Sequence, residues 1–471
     1  KMSESEFENM FDKVCSEDGT IVVYSPNQSN LICAAGGAKI CRSNAPLPVI
    51  FAEQLSNNHS KKTLNTIVSG FGDASVAEIN NSVYFCEGLT LFGACIVLRG
   101  RLMSPLAEST RAISFENLTI PLNVGSSTNA LVAKWFDLYL DVKVAVEEKL
   151  RRLHKEELQS NTSKLSDAIE ARALDYAREF LSLRTPTRFC IQMNDRVLVN
   201  KAMKWSTSEV PEIASLGDAL KKLIREKLPC YKRSLSDDRH PKPWNTPLFM
   251  PTTKSCSEKA SVHVAFHSQE LVFLKRTYLS LDGRVLQLED VMRLRKDRHS
   301  DMPASFEDCS MILDFQNINL GDARDYLRHR LLSYSQVDVH LNLPTPSIAV
   351  DFPELWETRG FDKRFAALWK ASVATNSIHD LPMAAKTSFR WNVNGRSLLK
   401  ILELRTTPGT HPNVREIMIP LCEEVEHLLS GIFGLPEPLP GFFPDRDFYA
   451  LGRLAVKKRP DQILLKEKEE Q

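Results

Sequence analysis

One ten-residue pattern occurs twice in this chain, and it constrains the fold more than any other feature of the sequence. The segment 187–196, TRFCIQMNDR, aligns without gaps with 387–396, TSFRWNVNGR, at an offset of 200 residues. Both copies read T-x-F-x-x-x-x-N-x-R, and an Arg-x-Arg precedes each of them, at 99–101 and 328–330. Because both motifs occur in the same order in both halves, the sequence predicts a tandem duplication.

A change in composition marks the boundary between the two halves. Residues 231–260 are polar and rich in proline and show no sustained hydrophobic period, which is typical of a linker. We therefore predict a first repeat over 15–230, a linker over 231–260, a second repeat over 261–440 and a C-terminal tail over 441–471. The charged end of the tail indicates a solvated helix end or a docking arm.

The hydrophobic periods indicate both strands and helices. Residues 21–24 are β-branched and aromatic, as in a strand. Apolar residues at helical spacing predict a long helix over 130–158, a second over 167–183 and a third over 194–205. This mixture predicts an α+β fold with helices and an antiparallel sheet in each repeat, rather than alternating βαβ units.

Composition excludes several broad classes of protein. The 471 residues are 43% hydrophobic and 25% charged, which is typical of a globular chain and excludes wholesale disorder. The 60 lysines and arginines balance 59 aspartates and glutamates, so no bulk positive field is available for nucleic acid. The longest apolar run, 89–98, is about half of the roughly 20 residues that a membrane span needs.

The N-terminus and the cysteines bear on the cellular compartment. The first residues are polar and acidic, so no signal peptide is visible. Because the chain begins with Lys1 rather than Met, a trimmed start and the removal of an upstream targeting segment are both open. The ten cysteines are scattered and form no C-x-x-C pair, which predicts free thiols in a reducing intracellular compartment, either the cytosol or the mitochondrial matrix.

The common cofactor motifs are absent from the sequence. No G-x-G-x-x-G follows a predicted strand, and neither a phosphate loop ending in Gly-Lys-Ser/Thr nor a nucleophile elbow is present. His263 and His267 have a spacing found in metal sites, but Val262–Phe266 alternates like a strand, so we predict a structural role and no metal.

Arginines are concentrated in the segment 99–111. Arg99, Arg101 and Arg111 lie close to Ser104 and Ser109, immediately after the apolar run. Arginine binds phosphate with two parallel hydrogen bonds, so the segment indicates a phosphate-binding rim at the end of a buried element. A solvated helix end with surface arginines is the alternative.

The ordered motifs resemble those of the flavin-dependent thymidylate synthases. That family carries G-H-x-S-x-x-E, then R-H-R, then Ser-x-Arg, and this chain has matching segments at 72–78, 99–101 and 109–111. Further matches are an arginine at 178, N-x-R-x-x-x-N at 194–200, and in the second half R-H-R, N-x-R and a later arginine. The resemblance covers most of both halves and implies two tandem repeats of the family's fold.

The resemblance assigns roles to residues in both halves. The matches to flavin-side positions are Ser75, Glu78, Arg99, Arg101, Asn194, Arg196 and Asn200 in the first repeat, and Arg328, His329, Arg330, Asn394 and Arg396 in the second. The matches to nucleotide-holding positions are Ser109, Arg111, Arg178 and Arg405. Arg405 matches the arginine beside the uracil ring, so the resemblance implies that it stabilises the charged intermediate and acts as the catalytic residue. Glu307 is a further candidate for the glutamate of the first motif.

The resemblance also implies cofactors and partners. Family members bind FAD, dUMP, methylene-tetrahydrofolate and NADPH, and the flavin mediates methylation of the uracil ring without an enzyme nucleophile. They are homotetramers with active sites between subunits. A tandem chain of this kind implies a homodimer that reproduces the tetramer.

Both halves depart from the family's pattern, at different positions. The departures are Asp73, Gly100 and Trp205 in the first repeat, and Asp338, His340, Ile378 and Lys400 in the second. A carboxylate at Asp338 would repel a nucleotide phosphate. Because the losses barely overlap, one composite site that draws residues from both repeats could be intact.

Three functions are consistent with this sequence. The first is an enzyme that methylates a dUMP-like pyrimidine deoxynucleotide through FAD at a composite site between the repeats. The second is a non-catalytic pseudoenzyme that serves as a structural subunit or regulator of a larger assembly, for example a mitochondrial one. A flavin-binding protein with altered chemistry is a third reading. The resemblance makes the enzyme the leading interpretation, whereas the lost histidines, Asp338, the linker and the tail favour the second function.

Overall fold

The computed structural model describes residues 11–26, 34–35, 38–39, 49, 57–64, 66, 77–100, 102–111, 113–115, 126–160, 162–235, 249–254, 259–266, 278–279, 285–286, 302–303, 306–307, 310–330, 332–407 and 409–433. The predicted tail and the site candidates Ser75 and Arg101 lie outside the described residues.

Strands and helices are named here in chain order. The strands are β1 Phe11–Cys15, β2 Val22–Pro26, β3 Asn81–Thr90, β4 Met103–Ala107, β5 Pro186–Asn194, β6 Phe249–Thr252, β7 Ser261–Phe266, β8 Tyr278–Leu279, β9 Val285–Leu286, β10 Ser310–Asn319, β11 Ser333–Tyr334, β12 Val337–His340 and β13 Lys386–Asn394. The helices are α1 Asn57–Leu64, α2 Leu91–Leu98, α3 Ser126–Leu153, α4 Lys155–Ser160, α5 Thr162–Ala177, α6 Asp195–Ser206, α7 Pro211–Lys227, α8 Leu320–Leu327, α9 Ser347–Asp351, α10 Pro353–Thr358, α11 Phe361–Ala374, α12 Gly395–Arg405 and α13 Pro412–Phe433. Short 3-10 turns cover Arg178–Phe180, Pro229–Leu235 and Ile378–Asp380.

The described residues form two compact units. The first unit contains those within Lys1–Glu108 and Arg184–Leu248. The second contains those within Ser109–Leu118, Ser126–Leu183 and Phe249–Gln471. Helices α3 to α5 lie in the first half of the sequence but in the same compact unit as the second half. The boundaries of the two compact units therefore differ from the boundaries of the two repeats that the sequence predicts.

The first unit is built on an antiparallel sheet of order β1-β2-β3-β5-β4. Its core contains Tyr84 and Ile191 from the sheet together with Trp205 from α6 and Leu216 and Leu220 from α7. Since burial of such side chains is the main favourable term in folding, this cluster fixes both helices on the sheet.

The second unit contains a sheet of order β6-β12-β13-β10-β7, and β11 also pairs with β13. Strand β6 runs parallel to β12, whereas the other pairs are antiparallel. Residues of β6 fall within the segment that the sequence predicts as a linker. Phe249 is buried there, which accounts for a short edge strand in an otherwise polar segment.

Both sheets contain a bulge at corresponding places. The pairing of β3 with β5 shifts register between Cys86 and Leu89, and the pairing of β10 with β13 shifts between Phe315 and Ile318. Gly88 in the first bulge has φ +97° and Asn317 in the second has φ +57°, both in the left-handed region that glycine and asparagine tolerate best. In each half a buried helix follows the bulged strand, and the predicted α+β class is confirmed.

The long helices of the second unit differ from the prediction in where they end. The predicted helix over 130–158 is broken at His154, between α3 and α4. The predicted helix over 167–183 ends as α5 at Ala177. A 3-10 turn over Arg178–Phe180 follows, and from Leu181 the chain is extended and pairs with a second segment, since Leu183 N–H donates to the carbonyl of Leu381 at 2.9 Å. This backbone pairing is incompatible with further helix.

The described part of the chain bears on membrane-spanning helices, metal sites and cysteine pairing. No helix there is long and apolar enough to span a bilayer. No group of three or more His, Cys, Asp or Glu side chains is arranged there to hold a metal ion, and His263 lies on β7 as predicted. Cys15, Cys86, Cys95, Cys190 and Cys422 are free thiols.

Candidate functional site

The two N-x-R asparagines cap helices. The Asn194 side chain accepts a hydrogen bond from Val197 N–H at 2.9 Å, and the Asn394 side chain accepts one from Ser397 N–H at 2.8 Å. Each thereby satisfies an otherwise unpaired donor in the first turn of α6 or α12. Asn200, the other asparagine of the motif, lies exposed on α6.

The arginine of each N-x-R motif pairs with a glutamate from the same half. Arg196 forms an ion pair with Glu78, and Arg396 forms the equivalent pair with Glu307. Glu78 and Glu307 thus make the same kind of contact in the two halves, and the match of Glu307 to the first-motif glutamate stays a prediction. All four side chains are more than a third exposed, so each pair contributes at most about 1 kcal/mol.

The described arginines at flavin-side positions contact other groups of the chain. Arg328 lies 4.0 Å from an oxygen of Asp325, and Arg99 and Arg330 also contact other groups of the chain. A Cβ at Gly100 would lie 2.1 Å from the Met103 sulfur, so the histidine that the family has at this position requires Met103 to move. With Arg196 and Arg396 paired, every described arginine at a flavin-side position is engaged.

Asp195, which follows Asn194 in the sequence, is a buried carboxyl that the resemblance does not assign. It accepts a hydrogen bond from Asn80 Nδ2 at 2.7 Å, while its other oxygen has no hydrogen-bond partner among the described residues. Burial raises the pKa of Asp195 to about 6. The folded protein therefore holds this proton at pH values where the unfolded chain has lost it.

We compare the free energy of unfolding of Asp195→Asn with that of the wild type at the same pH. We expect this difference to favour the variant more at neutral pH than in acid. Well below its ordinary pKa of 3.8 the carboxyl is neutral in both states, and as the pH rises from there through 6 the wild type loses up to about 3 kcal/mol that the variant keeps. Urea denaturation at pH 4 and pH 7.5 measures this difference. A difference between variant and wild type that does not change with pH would contradict the assignment.

Arg111 and Asp175 begin the charged cluster of the second unit. We define the charged cluster as Arg111, Asp175, Arg178, Asp322, Asp325, Arg328, His329, Arg405 and His411. The Arg111 guanidinium donates to both oxygens of Asp175, at 2.6 and 3.1 Å, and to the carbonyl of Gly409 at 3.2 Å. Its backbone N–H donates to Ser109 Oγ at 3.3 Å. The Nε and Nη2 donors of Arg111, which could form a two-bond contact with a phosphate, thus bind a carboxylate instead.

Arg178 and Asp322 form a buried ion pair at the centre of the cluster. Their side chains are 3% and 5% exposed, and Arg178 is also 3.8 Å from Asp325. Asn413 donates to the second oxygen of Asp322 at 3.1 Å, and His411 Nδ1 lies 3.1 Å from the first. Both carboxylate oxygens of Asp322 therefore contact other side chains of the protein.

Arg405 is held by a histidine and a backbone carbonyl. Its Nε donates to His329 Nε2 at 2.9 Å, and its Nη2 donates to the carbonyl of Asp325 at 2.7 Å. Burial and the charge of Arg405 lower the pKa of His329 to about 3, so this ring is neutral at pH 7 and can accept the bond. Burial lowers the pKa of Arg405 as well.

The electrostatics of the cluster are close to balanced. Although burial favours the neutral acid, the arginines hold the pKa of Asp175 and of Asp325 well below the usual range. Burial and Arg178 lower the pKa of His411 to about 4. At pH 7 the cluster thus contains four charged arginines, three charged aspartates and two neutral histidines.

A cavity of about 820 Å³ borders this cluster in the second unit. Its lining includes Asp322, Asn413 and Ser347, together with Lys386. Arg111, Arg178 and Arg405 do not line it. Within the cluster, the cavity is therefore bordered by the carboxylate of Asp322 and not by the guanidinium groups of Arg111, Arg178 and Arg405.

The structure brings together candidates from both halves of the sequence and adds residues that the sequence analysis missed. Arg111 and Arg178 from the first half lie in one cluster with His329 and Arg405 from the second, and the cluster also contains His411, which the sequence analysis does not single out. The missed residues are Asp175, Asp322, Asp325 and Asn413. A sequence signal existed for two of them, because Asp322 and Asp325 directly precede the second Arg-x-Arg on α8.

The chain is similar to several known proteins. The family described as thymidylate synthase complementing protein matches residues 20–230 and 286–429. The UPF0159 protein of Thermoplasma acidophilum is 23% identical over 500 residues, which cover 88% of this chain and 96% of that protein. The UPF0159 protein of Chlamydia pneumoniae is 23% identical over 418 residues, which cover 76% of this chain and 77% of that protein. A crystal structure of thymidylate synthase X from Helicobacter pylori with FAD and dUMP matches 48% of this chain and 99% of its own, at 15% identity and a TM-score of 0.29.

Proposed function

Because the chain belongs to the family of thymidylate synthase complementing proteins, we propose that it is a non-catalytic member of that family. In this proposal the charged cluster stabilises the second unit and does not hold a nucleotide. One observation carries the proposal. Arg111, Arg178 and Arg405, which the resemblance assigns to the nucleotide, are each engaged by groups of the chain itself.

The energetics of buried ion pairs support this proposal. A nucleotide phosphate would have to displace the carboxylate of Asp175 from Arg111 or that of Asp322 from Arg178. Separating a buried pair leaves an uncompensated charge and costs about 3–5 kcal/mol. Such a cost would remove most of the affinity that a few hydrogen bonds to a nucleotide provide.

The flavin-side positions support the same conclusion. The described asparagines of the N-x-R motifs cap helices, and the described arginines contact glutamates or other groups of the chain. We therefore derive no step through FAD, NADPH or methylene-tetrahydrofolate. The fold is retained, and the residues that would act on cofactors have local structural roles.

The catalytic alternative also has a specific observation in its favour. Arg111 and Arg178 come from the first half of the sequence, and His329 and Arg405 come from the second, yet all four belong to one buried cluster. A composite site for a pyrimidine nucleotide requires this juxtaposition. The two proposals differ in whether a nucleotide displaces the aspartates.

Under the non-catalytic proposal the protein acts through other macromolecules. We propose that it serves as a structural subunit of a larger assembly, either as a homodimer or with other chains. Its location in the cytosol or the mitochondrial matrix stays a prediction from the sequence.

The visible absorption spectrum of the purified protein, before and after addition of FAD, tests this function. We expect no flavin bands to be retained after desalting and no change in melting temperature with dUMP. Glu78→Gln is the matched control for both measurements, because it alters a flavin-side position and leaves the charged cluster unchanged. A flavin spectrum that bleaches with NADPH and recovers with dUMP and methylene-tetrahydrofolate would establish the enzyme instead.

A further inference from the structure

We propose that the cavity of about 820 Å³ in the second unit binds a linear aliphatic diamine, with one ammonium group at Glu416 and the other at Glu424. Residues of α13, β7 and β10 line this cavity, together with residues in and beside α9. The inference goes beyond the proposed function and does not rest on it, because neither glutamate belongs to the charged cluster.

The corresponding place in the first half of the chain contains a hydrogen-bonded contact. There the backbone N–H and the hydroxyl of Thr90 donate to the two oxygens of Glu212, at 2.8 and 2.7 Å. In the second half Asn319 and Glu416 hold the corresponding positions, after the bulge and on the last long helix, and both line the cavity. The Asn319 side chain donates to Glu179 instead, at 2.7 Å. The glutamate that binds the start of a helix in the first half is therefore available to a ligand in the second.

The wall that α13 contributes to the cavity presents oxygen acceptors. Glu416 and Glu424 are exposed, and neither forms an ion pair or a hydrogen bond with another residue in the described part of the chain. Pro420 lies between them inside the helix and has no N–H, so the carbonyl of Glu416 lacks its usual helical donor. Carboxylates and a carbonyl of this kind favour a ligand that has N–H groups and a positive charge.

The cationic side chains of the other walls are mostly engaged. Arg172 lies 3.7 Å from Asp351, and the Lys386 ammonium donates to the side-chain oxygen of Asn319. Lys259, on the β7 side, is exposed and makes no such contact with another described residue. In total the lining contains four carboxylates and three cationic groups. The charge of the cavity therefore favours a cation over an anion.

The spacing of the two glutamates sets the length of the ligand. Glu416 and Glu424 are eight residues apart on α13, which corresponds to about 12 Å along the helix. An extended eight-carbon diamine spans this distance, whereas a four-carbon diamine does not. Val262, Ile318 and Leu421 also line the cavity, and their apolar side chains suit the methylene chain between the two ammonium groups.

Isothermal titration calorimetry of the full chain at low ionic strength tests the proposal with three amines. Octamethylenediamine has eight carbons and two ammonium groups, putrescine is the four-carbon diamine, and octylamine has eight carbons and one ammonium group. We expect octamethylenediamine to bind at one site, and the other two to bind at least roughly tenfold more weakly because each reaches only one glutamate. No saturable binding of octamethylenediamine at millimolar concentration, or equal affinity for all three amines, would overturn the inference.

Variants of the lining assign the binding to this cavity. Glu416→Gln and Glu424→Gln should each raise the Kd of octamethylenediamine roughly tenfold and keep the circular dichroism spectrum of the wild type, because both side chains are exposed. Lys259→Ala should lower the Kd, because it removes a charge of the same sign as the ligand. Glu357→Gln is the matched control, since Glu357 is exposed on α10 and does not line the cavity. If the two cavity variants bind the diamine as the wild type and the control do, the site lies elsewhere and the inference is wrong.

Discussion

Asp322→Ala is expected to lower the free energy of unfolding by about 3–5 kcal/mol. The reason is that Arg178, which is 3% exposed, would keep its charge in the interior without its closest carboxylate. Asn413 would also lose an acceptor, and His411 a neighbouring negative charge. Urea denaturation followed by circular dichroism measures the loss.

The chain offers a matched control for this prediction. Asp314 on β10 pairs with Arg390 on β13 through two hydrogen bonds, but the Arg390 side chain is 57% exposed. Asp314→Ala should therefore destabilise the protein much less than Asp322→Ala. Equal losses for Asp322→Ala and Asp314→Ala would mean that the charged cluster does not stabilise the second unit.

Trp135→Ala is expected to have an effect of similar size, about 3–5 kcal/mol, through packing rather than charge. Trp135 on α3 is fully buried, its ring meets that of Phe365 edge to face at 5.7 Å, and its Nε1 donates to Ser372 Oγ at 2.9 Å. Both partners lie on α11, in the other half of the sequence. The indole thus joins a helix of the first half to the core formed by the second.

Two further variants separate the packing of the indole from its hydrogen bond. Trp135→Phe keeps most of the buried volume and should cost less than Trp135→Ala. Ser372→Ala leaves the indole N–H buried without its acceptor and should cost about 1–3 kcal/mol. A loss below 1 kcal/mol for Trp135→Ala would show that α3 does not contribute to the core of the second unit.

The fold was largely predictable from the sequence, whereas the partners of the site residues were not. The strand at 21–24, the helix starting at Asn194 and the strand containing His263 all depend on periods and caps within a few residues. Arg111 and Asp175, in contrast, are 64 positions apart, and Arg178 and Asp322 are 144 apart. Periodicity contains no information about contacts over such distances.

The helix ends show the same limit. Apolar spacing continues through His154 and past Ala177, so the sequence alone predicts longer helices than the structure has. The α-helix ends at Ala177, and the chain becomes extended after the 3-10 turn Arg178–Phe180, because the backbone of Leu181 and Leu183 pairs with the segment around Leu381 and Met383. This partner is 200 residues away in the sequence.

The sequence by itself determined the α+β class, the duplicated motifs and the candidate arginines. These depend on local rules, since a cap such as Asn394 acts on a backbone N–H three residues away. Only the tertiary structure decided that α3 to α5 pack with the second half, and that the arginines face aspartates. A buried guanidinium must be neutralised by whatever carboxylate the packing of apolar surfaces brings beside it, and that choice is made in three dimensions.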